Sequence, residues 1–190
     1  MPLRTLDTWP HGAMMLDAEN TRFALWAPDA SNVSVKLDDG QSLPLQPHAD
    51  GWFVLQTRCP AGTQYRYNID GEIDVPDPAS RAQAGDLDRH SVVVDHLAYH
   101  WQHNAWQGRP WNEAVIYELH VGTLGGFSEV EQHLARLVEL GVTAIELMPL
   151  AQFPGNRNWG YDGVLPYAPQ ASYGTPEQLK HLIDTAHGHG

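Results

Sequence analysis

Apolar and polar residues alternate with a period of two along the first half of the chain. Asp-Gly dipeptides at positions 39–40, 50–51 and 70–71 stand between the alternating runs, and this dipeptide is favoured in tight hairpin turns. Short strands joined by such turns are typical of an antiparallel sandwich, so we predict an Ig-like β-sandwich over residues 1–98. The alternating runs between Thr21 and Asp95 read RFALW, VSVKL, WFVLQ, YRYNI and SVVVD.

Two stretches of the chain lack this alternation. From Val75 to Arg89 the sequence reads VPDPASRAQAGDLDR, and because proline has no amide hydrogen to donate to a sheet, we predict a connecting excursion there. Residues 99–112 are predicted to be a linker, with tryptophans at every fifth position. Evenly spaced indoles could form a ladder for sugars or pack between two domains, and we favour the packing interpretation. They are Trp101, Trp106 and Trp111.

After Asn112 the period changes to that of alternating strands and helices. The runs AVIYEL and VTAIEL are nearly continuous in apolar residues, as in strands buried on both faces of a parallel sheet. Between them, Ser128 to Glu131 has the spacing of a capping box, and Gly141 can end the helix in the left-handed conformation. The apolar face of this predicted helix consists of Val130, Leu134, Leu137 and Val138.

A second predicted helix follows Thr175, where Thr175 to Gln178 offers another cap with proline at the first helical position. The order strand, helix, strand, helix builds a parallel sheet by right-handed crossover. Either an open doubly wound sheet or a closed (β/α)8 barrel begins in this way, and residues 113–190 supply two such units. The apolar stripe of the second helix consists of Leu179, Leu182, Ile183 and Ala186.

The connection from Met148 to Thr175 is predicted to carry a binding site. It contains about 26 residues, whereas strand-to-helix connections are commonly about 2 to 6 residues long. It also leaves the strand at its carboxyl end, where parallel α/β folds bind their ligands. Its aromatic residues argue against disorder. They are Phe153, Trp159, Tyr161, Tyr167 and Tyr173.

Aromatic faces with few charges suit a carbohydrate, because a sugar ring has apolar faces and a rim of hydroxyl groups. In the segment RNWGYDG, Tyr161 is the candidate for stacking, and Arg157, Asn158 and Asp162 are candidates for hydrogen bonds to the rim. For Trp159 we favour packing against the protein over contact with the sugar. The alternative is that all these aromatic residues only pack the loop onto the rim of the barrel.

Three further residues near the strand ends have alternative interpretations. His120 directly follows the first strand, so it either bonds a sugar hydroxyl or is held by backbone groups under the loop. Glu118 and Glu146 lie within the strand patterns and are interpreted as part of a buried network. The sequence offers no pair of carboxylates that can be nominated for glycoside hydrolysis.

Charge and composition exclude several classes of partner. The formal net charge is −12 with only 11 lysines and arginines, which disfavours nucleic acid because its affinity depends on basic residues. No apolar run is long enough for a membrane span or a signal peptide, and the single cysteine, Cys59, cannot form an intrachain disulfide. We therefore expect a cytoplasmic protein without metal or cofactor. A metal site at His96, His100 and His103 is less favoured than solvated linker histidines.

The quoted segments resemble a known family. FALWAPDASNVSVKL, DGWFVL and AGTQYRYNIDG resemble the amino-terminal glycan-binding-type sandwich of the α-amylase superfamily. VIYELHVGT, LVELGVTAIELMPL and WGYDGVLPYAPQASYGTPEQLKHLIDTAHGHG resemble the start of the barrel in that superfamily. DVPDPASR and MPLAQFPGNRNWGYDG are most similar to the maltooligosyltrehalose trehalohydrolases.

The resemblance implies a retaining α-glucan hydrolase that cleaves the α-1,4 bond next to a terminal trehalose unit and releases trehalose. It also implies that Tyr161 stacks on the sugar at the cleavage subsite, with Asp162, Trp159, Asn158 and His120 as further substrate-binding residues. The catalytic carboxylates of the superfamily lie on later barrel strands, so none is expected in this chain. The chain is then an inactive amino-terminal fragment.

Alternative interpretations remain open at this stage. The chain could belong to a branching or debranching enzyme, or it could be a non-catalytic α-glucan-binding protein. An incomplete barrel would expose unpaired sheet edges, so self-association through that edge is expected. In the sandwich, Trp52 and Tyr65 are candidate glucan platforms, although a core position is favoured for both.

Overall fold

Two antiparallel sheets form the amino-terminal half of the protein, as the alternating pattern predicts. The structure, a computed structural model, describes residues 11–190, so the first ten residues of the predicted sandwich lie outside it. In the described part this half has strands β1 (Met14–Met15), β2 (Asn20–Trp26), β3 (Val33–Leu37), β4 (Ser42–Pro44), β5 (Gln46–Pro47), β6 (Trp52–Arg58), β7 (Gln64–Ile69), β8 (Ile73–Val75) and β9 (Ser91–Val92). One sheet has the order β1-β2-β6-β5. The other has the order β4-β3-β7-β8, with β9 paired to β7.

The Asp-Gly dipeptides turn hairpins as predicted. Asp70 and Gly71 have φ values of 53° and 76° between the paired strands β7 and β8, and Asp50 and Gly51 have 59° and 81° between β5 and β6. Two successive positive φ values match the right-handed twist of the flanking strands. The Asp39-Gly40 dipeptide connects β3 to its antiparallel neighbour β4.

Tyr65 belongs to the core of the sandwich and is not a surface platform. Its side chain is 1% exposed, and its hydroxyl donates to Asp77 Oδ2 at 2.6 Å. Burial raises the pKa of Asp77 and raises the pKa of Tyr65 well above its usual range. Trp52, by contrast, is only half-buried, lies opposite Trp26 in register and contacts the ring of His11. The core prediction is therefore confirmed for Tyr65 and wrong for Trp52.

The region after β8 is more ordered than the sequence predicts. Only Ser91 and Val92 of the run SVVVD are in a strand, although Val93 also bonds the backbone of Thr63. The excursion, residues 75–89, folds back on this strand through a bridge between Gln83 and Ser91. Gln83 Nε2 also donates to the hydroxyls of Ser80 and Ser91. Buried side-chain hydrogen bonds thus supplement the backbone bonds from Val92 to Ala82 and from Ala84 to His90.

The carboxyl-terminal half has the predicted alternation of strand and helix. Strand β10 (Ile116–Leu119) pairs in parallel with β11 (Ala144–Leu147), and this arrangement corresponds to the start of a (β/α) barrel. Between them lie α1 (Val121–Leu124), α2 (Phe127–Gln132) and α3 (Leu134–Leu140). After β11 come β12 (Ala151–Gln152), β13 (Leu165–Pro169) and α4 (Pro176–Gly188). No helix among residues 11–190 is both long and apolar enough to cross a bilayer.

One of the two predicted capping boxes is wrong. Helix α2 begins at Phe127, one residue before Ser128, so the Ser128 side chain lies in the first turn and caps nothing. Its hydroxyl instead accepts from Gln178 Nε2 at 3.2 Å, and Glu131 pairs with His181. Contacts with α4 therefore replace the local cap. The box at Thr175 and Gln178 is confirmed, because the side chain of each bonds the backbone amide of the other.

Strands β10 and β11 are less buried than predicted. Ile116 and Tyr117 are 48% and 45% exposed, and Glu118 and Glu146 lie side by side in register, both exposed. The buried network predicted for these glutamates is therefore wrong. Each strand has one neighbour in this two-stranded sheet, so the faces and outer edges that a larger sheet would cover remain open.

The predicted apolar helix faces are only partly covered. Val130, Leu134 and Leu182 are buried in a common core. Val138 and Leu140, in contrast, are 45% and 73% exposed. Beside them runs an apolar groove lined by Leu137, Val138, Val142, Ile145, Ile183 and Ala186. Gly141 ends α3 with φ 93°, as predicted.

The linker packs on α4. Trp106 stacks on His187, with the ring centroids 3.9 Å apart and the planes 7° from parallel. Asp184 of α4 accepts hydrogen bonds from the backbone amides of Gln102 and His103 at 2.8 and 3.0 Å. Trp111 is 83% exposed. Trp106 therefore fixes the linker to the barrel segment. Its stacking partner, His187, lies in α4 and not in the sandwich.

Candidate functional site

The connection predicted to carry the site, residues 148–175, is called the aromatic loop below. It is not a simple loop, because β12 and β13 within it pair as an antiparallel hairpin. The hairpin is possible because Ala151–Gln152 and Leu165–Pro169 are extended on either side of the segment RNWGYDG. The aromatic loop leaves β11 at its carboxyl end, and His120 follows β10 at the same end.

Two buried glutamines hold the base of the aromatic loop. Gln152 and Gln170 are 0% and 1% exposed. Gln170 Oε1 accepts from the Phe153 amide at 2.9 Å, and its Nε2 donates to the Gly155 carbonyl at 2.9 Å. Gln152 Oε1 accepts from the Ala171 amide at 2.8 Å. Sequence reasoning missed both residues, because an isolated glutamine in a connection forms no periodic pattern.

Asn158 sets the backbone of the segment that carries Tyr161. Its Oδ1 accepts from the amides of Gly160 and Tyr161 at 2.6 and 3.2 Å, which is the local turn that asparagine favours. Gly160 has φ 114°, and a Cβ there would lie 3.0 Å from Met148 Cε. Asn158 Nδ2 is buried and makes no hydrogen bond within the described part of the chain. The asparagine therefore positions the tyrosine, while its amide NH2 group makes no hydrogen bond in the described residues.

His120 supports Asn158 from below. The Thr123 amide donates to His120 Nδ1 at 3.2 Å, so the proton of the ring is on Nε2, which donates to the Asn158 carbonyl at 2.9 Å. The Tyr173 hydroxyl lies 3.5 Å from the same Nε2, and burial raises the pKa of Tyr173. Of the two interpretations of His120, the structure favours the histidine held by backbone groups under the loop.

The aromatic side chains at the tip of the aromatic loop, residues 158–162, are directed to solvent. Trp159 and Tyr161 are 85% and 70% exposed, and Asp162 is also exposed. The packing predicted for Trp159 is therefore wrong, since its ring rests on no other ring in the described residues. Tyr167 is 54% exposed and lies under the Arg81 guanidinium. The structure thus brings Asn158, Trp159, Tyr161 and Asp162 to one exposed tip and places His120 beneath it.

The site has no metal-binding arrangement within residues 11–190, where no three His, Cys, Asp or Glu side chains are grouped to hold an ion. His96, His100 and His103 do not share a helix, and His103 bonds Asp184 instead. What the tip offers is two exposed aromatic faces, an adjacent carboxylate and a rigid backbone support. This arrangement suits stacking on a neutral, hydroxylated ligand.

Comparison with known proteins gives a family match in the sandwich. Residues 10–83 match carbohydrate-binding module 48. This family, also described as the isoamylase N-terminal domain, corresponds here to the sandwich from β1 to β8. The sandwich is therefore similar to CBM48 domains. The resemblance of the chain to the α-amylase superfamily, inferred from its sequence motifs, is confirmed by the relatives that follow.

The similarity extends beyond the sandwich into the barrel segment. A malto-oligosyltrehalose trehalohydrolase from Arthrobacter ramosus is 39% identical over 178 residues, which are 90% of this chain and 31% of that relative. A crystal structure from Salmonella typhimurium, assigned provisionally as an alpha amylase, matches with a TM-score of 0.91 and 46% identity over 95% of this chain and 31% of that chain.

A third relative was solved with glucans bound. Pullulanase from Paenibacillus barengoltzii, in complex with maltohexaose and alpha-cyclodextrin, matches with a TM-score of 0.79 and 26% identity over 95% of this chain and 36% of that chain. The chain thus spans about a third of the length of each of these three relatives.

Proposed function

We propose that the aromatic loop binds α-1,4-linked glucan and that Tyr161 is the stacking residue. The observation that carries this proposal is the exposure of Tyr161, 70%, on a backbone fixed by Asn158 and His120. An exposed ring on a fixed backbone loses little conformational entropy when a sugar stacks on it. The position at the carboxyl ends of parallel strands supports the same conclusion.

The other predicted site residues have separate roles in this proposal. Trp159 offers a second stacking face, and Asp162 accepts from hydroxyls on the rim of the sugar. Asn158 Nδ2 has no hydrogen-bond partner in the described residues but is buried, so it bonds a sugar hydroxyl only if the loop shifts to expose it. His120 acts through Asn158, because both of its ring nitrogens already have backbone partners.

We further propose that the protein to which this chain belongs is a maltooligosyltrehalose trehalohydrolase. It would cleave the α-1,4 bond adjacent to terminal trehalose, with retention of configuration, in the cytoplasm. Similarity to a trehalohydrolase over 90% of the chain supports this assignment. In this proposal the catalytic carboxylates lie outside the 190 residues, which bind glucan without cleaving it.

Product analysis of the natural full-length protein tests the assignment. Incubation with maltooligosyltrehalose should release trehalose, and incubation with the same glucan lacking the trehalose end should release none. Cleavage of α-1,6 branches in pullulan would instead assign a debranching enzyme, and formation of new branches would assign a branching enzyme. Either result without trehalose release would overturn the proposal. The 190-residue chain, assayed in parallel, should show no activity.

A further inference from the structure

The excursion of the sandwich contacts the aromatic loop directly. The Gly155 amide donates to both carboxylate oxygens of Asp86, at 3.0 and 2.9 Å. Next to this contact, Gln152 Nε2 donates to the Gly85 carbonyl at 3.3 Å. The loop that carries the candidate sugar contacts is thus bonded to the amino-terminal half of the protein at two adjacent residues of the excursion.

A third contact lies on the other strand of the hairpin. The Arg81 guanidinium carbon is 4.6 Å from the centroid of the Tyr167 ring, within the range of a cation–π interaction. Tyr167 belongs to β13, whereas Gln152 belongs to β12. The excursion therefore contacts both strands of the hairpin that supports the tip.

Gly155 is an effective place to hold the tip. It has φ 76°, a left-handed conformation that glycine adopts without strain, and its carbonyl accepts from Gln170. Its amide is held by the excursion and its carbonyl by the buried base of the loop. Three residues later the chain reaches Asn158, whose side chain sets the backbone of Tyr161. Loss of the amide contact would release the chain just before these residues.

The excursion is itself firmly attached to the sandwich. Gln83 is 7% exposed and bonds Ser80 and Ser91, and the Ala84 amide donates to the His90 carbonyl at 2.8 Å. Asp86 Oδ1 accepts additionally from the Leu87 amide at 2.7 Å, which fixes the orientation of the carboxylate. The carboxylate therefore meets Gly155 in a preset position.

We propose that the excursion positions the aromatic loop for glucan binding. In this proposal Asp86 is a positioning residue that holds Gly155 and, through Gly155, the tip bearing Tyr161. This inference rests on the proposed glucan binding by the aromatic loop. It gives the sandwich a role at the substrate site, separate from any glucan binding by its own surface. Asp86 touches no sugar in this proposal.

The test compares Asp86→Ala with Asp88→Ala in the 190-residue chain. Asp88 lies two residues away and is also exposed, but its carboxylate contacts Arg89 and not the aromatic loop. Each variant removes one negative charge, and the two differ in whether the contact with Gly155 is lost. A hydrogen bond to a carboxylate is among the stronger kinds, so Asp86→Ala should weaken binding of maltohexaose roughly tenfold. Asp86→Asn retains one acceptor oxygen and should recover part of the affinity. Asp88→Ala should bind like the wild type.

Amide hydrogen exchange at Gly155, measured without sugar, separates positioning from general destabilisation. Asp86→Ala should speed exchange at Gly155 while the melting temperature and exchange in β2 and β6 remain unchanged. If the wild type binds maltohexaose and Asp86→Ala binds equally well, the positioning role is overturned although glucan binding stands. If the wild type does not bind, the proposed function of the loop fails and the positioning role fails with it. Accelerated exchange in Asp86→Ala would then show only a structural contact.

Discussion

Gln170 Oε1 accepts the backbone amide of Phe153 at 2.9 Å across the hairpin of the aromatic loop. The side chain of Gln170 lies deep inside the protein, and its Nε2 bonds the carbonyl of Gly155 and the hydroxyl of Ser172. One glutamine thus ties the two ends of the segment that bears the exposed aromatics. The aromatic side chains of the tip can be exposed while its backbone stays fixed, because the base of the loop is held by buried hydrogen bonds.

Replacing Gln170 should destabilise this base. Gln170→Leu leaves the buried Phe153 amide without its partner, and a buried unsatisfied group costs about 1–3 kcal/mol. The carbonyl of Gly155, an exposed residue, also loses its hydrogen bond to Gln170. We expect a loss of about 2 kcal/mol or more in the free energy of unfolding, measured by urea denaturation. Gln132→Leu, at an exposed position on α2, is the control and should change little. Equal stability of the two variants would contradict the role of Gln170.

The two predicted capping sites should respond differently to alanine. Thr175→Ala removes the side chain that accepts from the Gln178 amide at the start of α4, and loss of such a cap costs about 1 kcal/mol. Ser128→Ala removes no cap and should stay within about 0.5 kcal/mol of the wild type. The measurement is thermal unfolding followed by circular dichroism. A larger loss at Ser128 than at Thr175 would show that the helix starts are assigned incorrectly.

The contact between the linker and α4 should weaken in acid. Burial opposes ionisation of Asp184, but hydrogen bonds from Gln102, His103 and Tyr99 outweigh it, so the pKa of Asp184 lies below its usual range. A carboxyl with a lowered folded-state pKa contributes stability above its unfolded pKa of about 4 and loses that contribution as the pH falls through the folded-state pKa.

The variant Asp184→Asn tests this pH dependence. The amide replaces an acceptor oxygen by a donor group that faces other donors, so the variant should melt at a lower temperature than the wild type at pH 7. The difference should shrink as the pH is lowered below about 4. Asp29→Asn, at an exposed turn, is the control and should show no such trend. A difference that is constant with pH would refute the assignment to Asp184 ionisation.

The open side of the barrel segment should promote self-association. Leu140 and Ile116 are 73% and 48% exposed, and β10 and β11 have one neighbour each in their sheet. Such surfaces usually pack against further protein. Analytical ultracentrifugation should show concentration-dependent oligomers, and Leu140→Lys should shift them towards monomer. Leu97→Lys, an equally polar change at a residue 66% exposed outside this surface, should not. A chain that is monomeric at all concentrations would contradict the expectation.

The features that the sequence predicts correctly are those that depend on neighbouring residues. The β2 and β3 runs have a period of two, and the Asp70-Gly71 turn needs only its own dihedral angles, so local pattern determines both. The cap at Thr175 is likewise formed within four residues. A structured aromatic loop was also predicted, because its length and composition are unusual for a strand-to-helix connection, but the exposure of Trp159 was not.

The features that were missed depend on residues distant in the chain. Ser128 has a capping sequence, but its hydroxyl accepts from Gln178, fifty residues away. Gln152 and Gln170 become structural only when β12 and β13 pair. The exposure of Ile116 could not be read from its apolar run either, because burial depends on which strands lie beside it.

The most direct test of glucan binding is a calorimetric titration of the 190-residue chain with maltohexaose. Aromatic stacking contributes about 1 kcal/mol or more beyond burial, so Tyr161→Ala should bind at least about tenfold more weakly than the wild type. Trp111→Ala removes an indole that is as exposed as Trp159 but lies in the linker, and it should bind like the wild type. Wild-type affinity in Tyr161→Ala, or loss of binding in Trp111→Ala alone, would contradict the assignment of the aromatic loop as the glucan site.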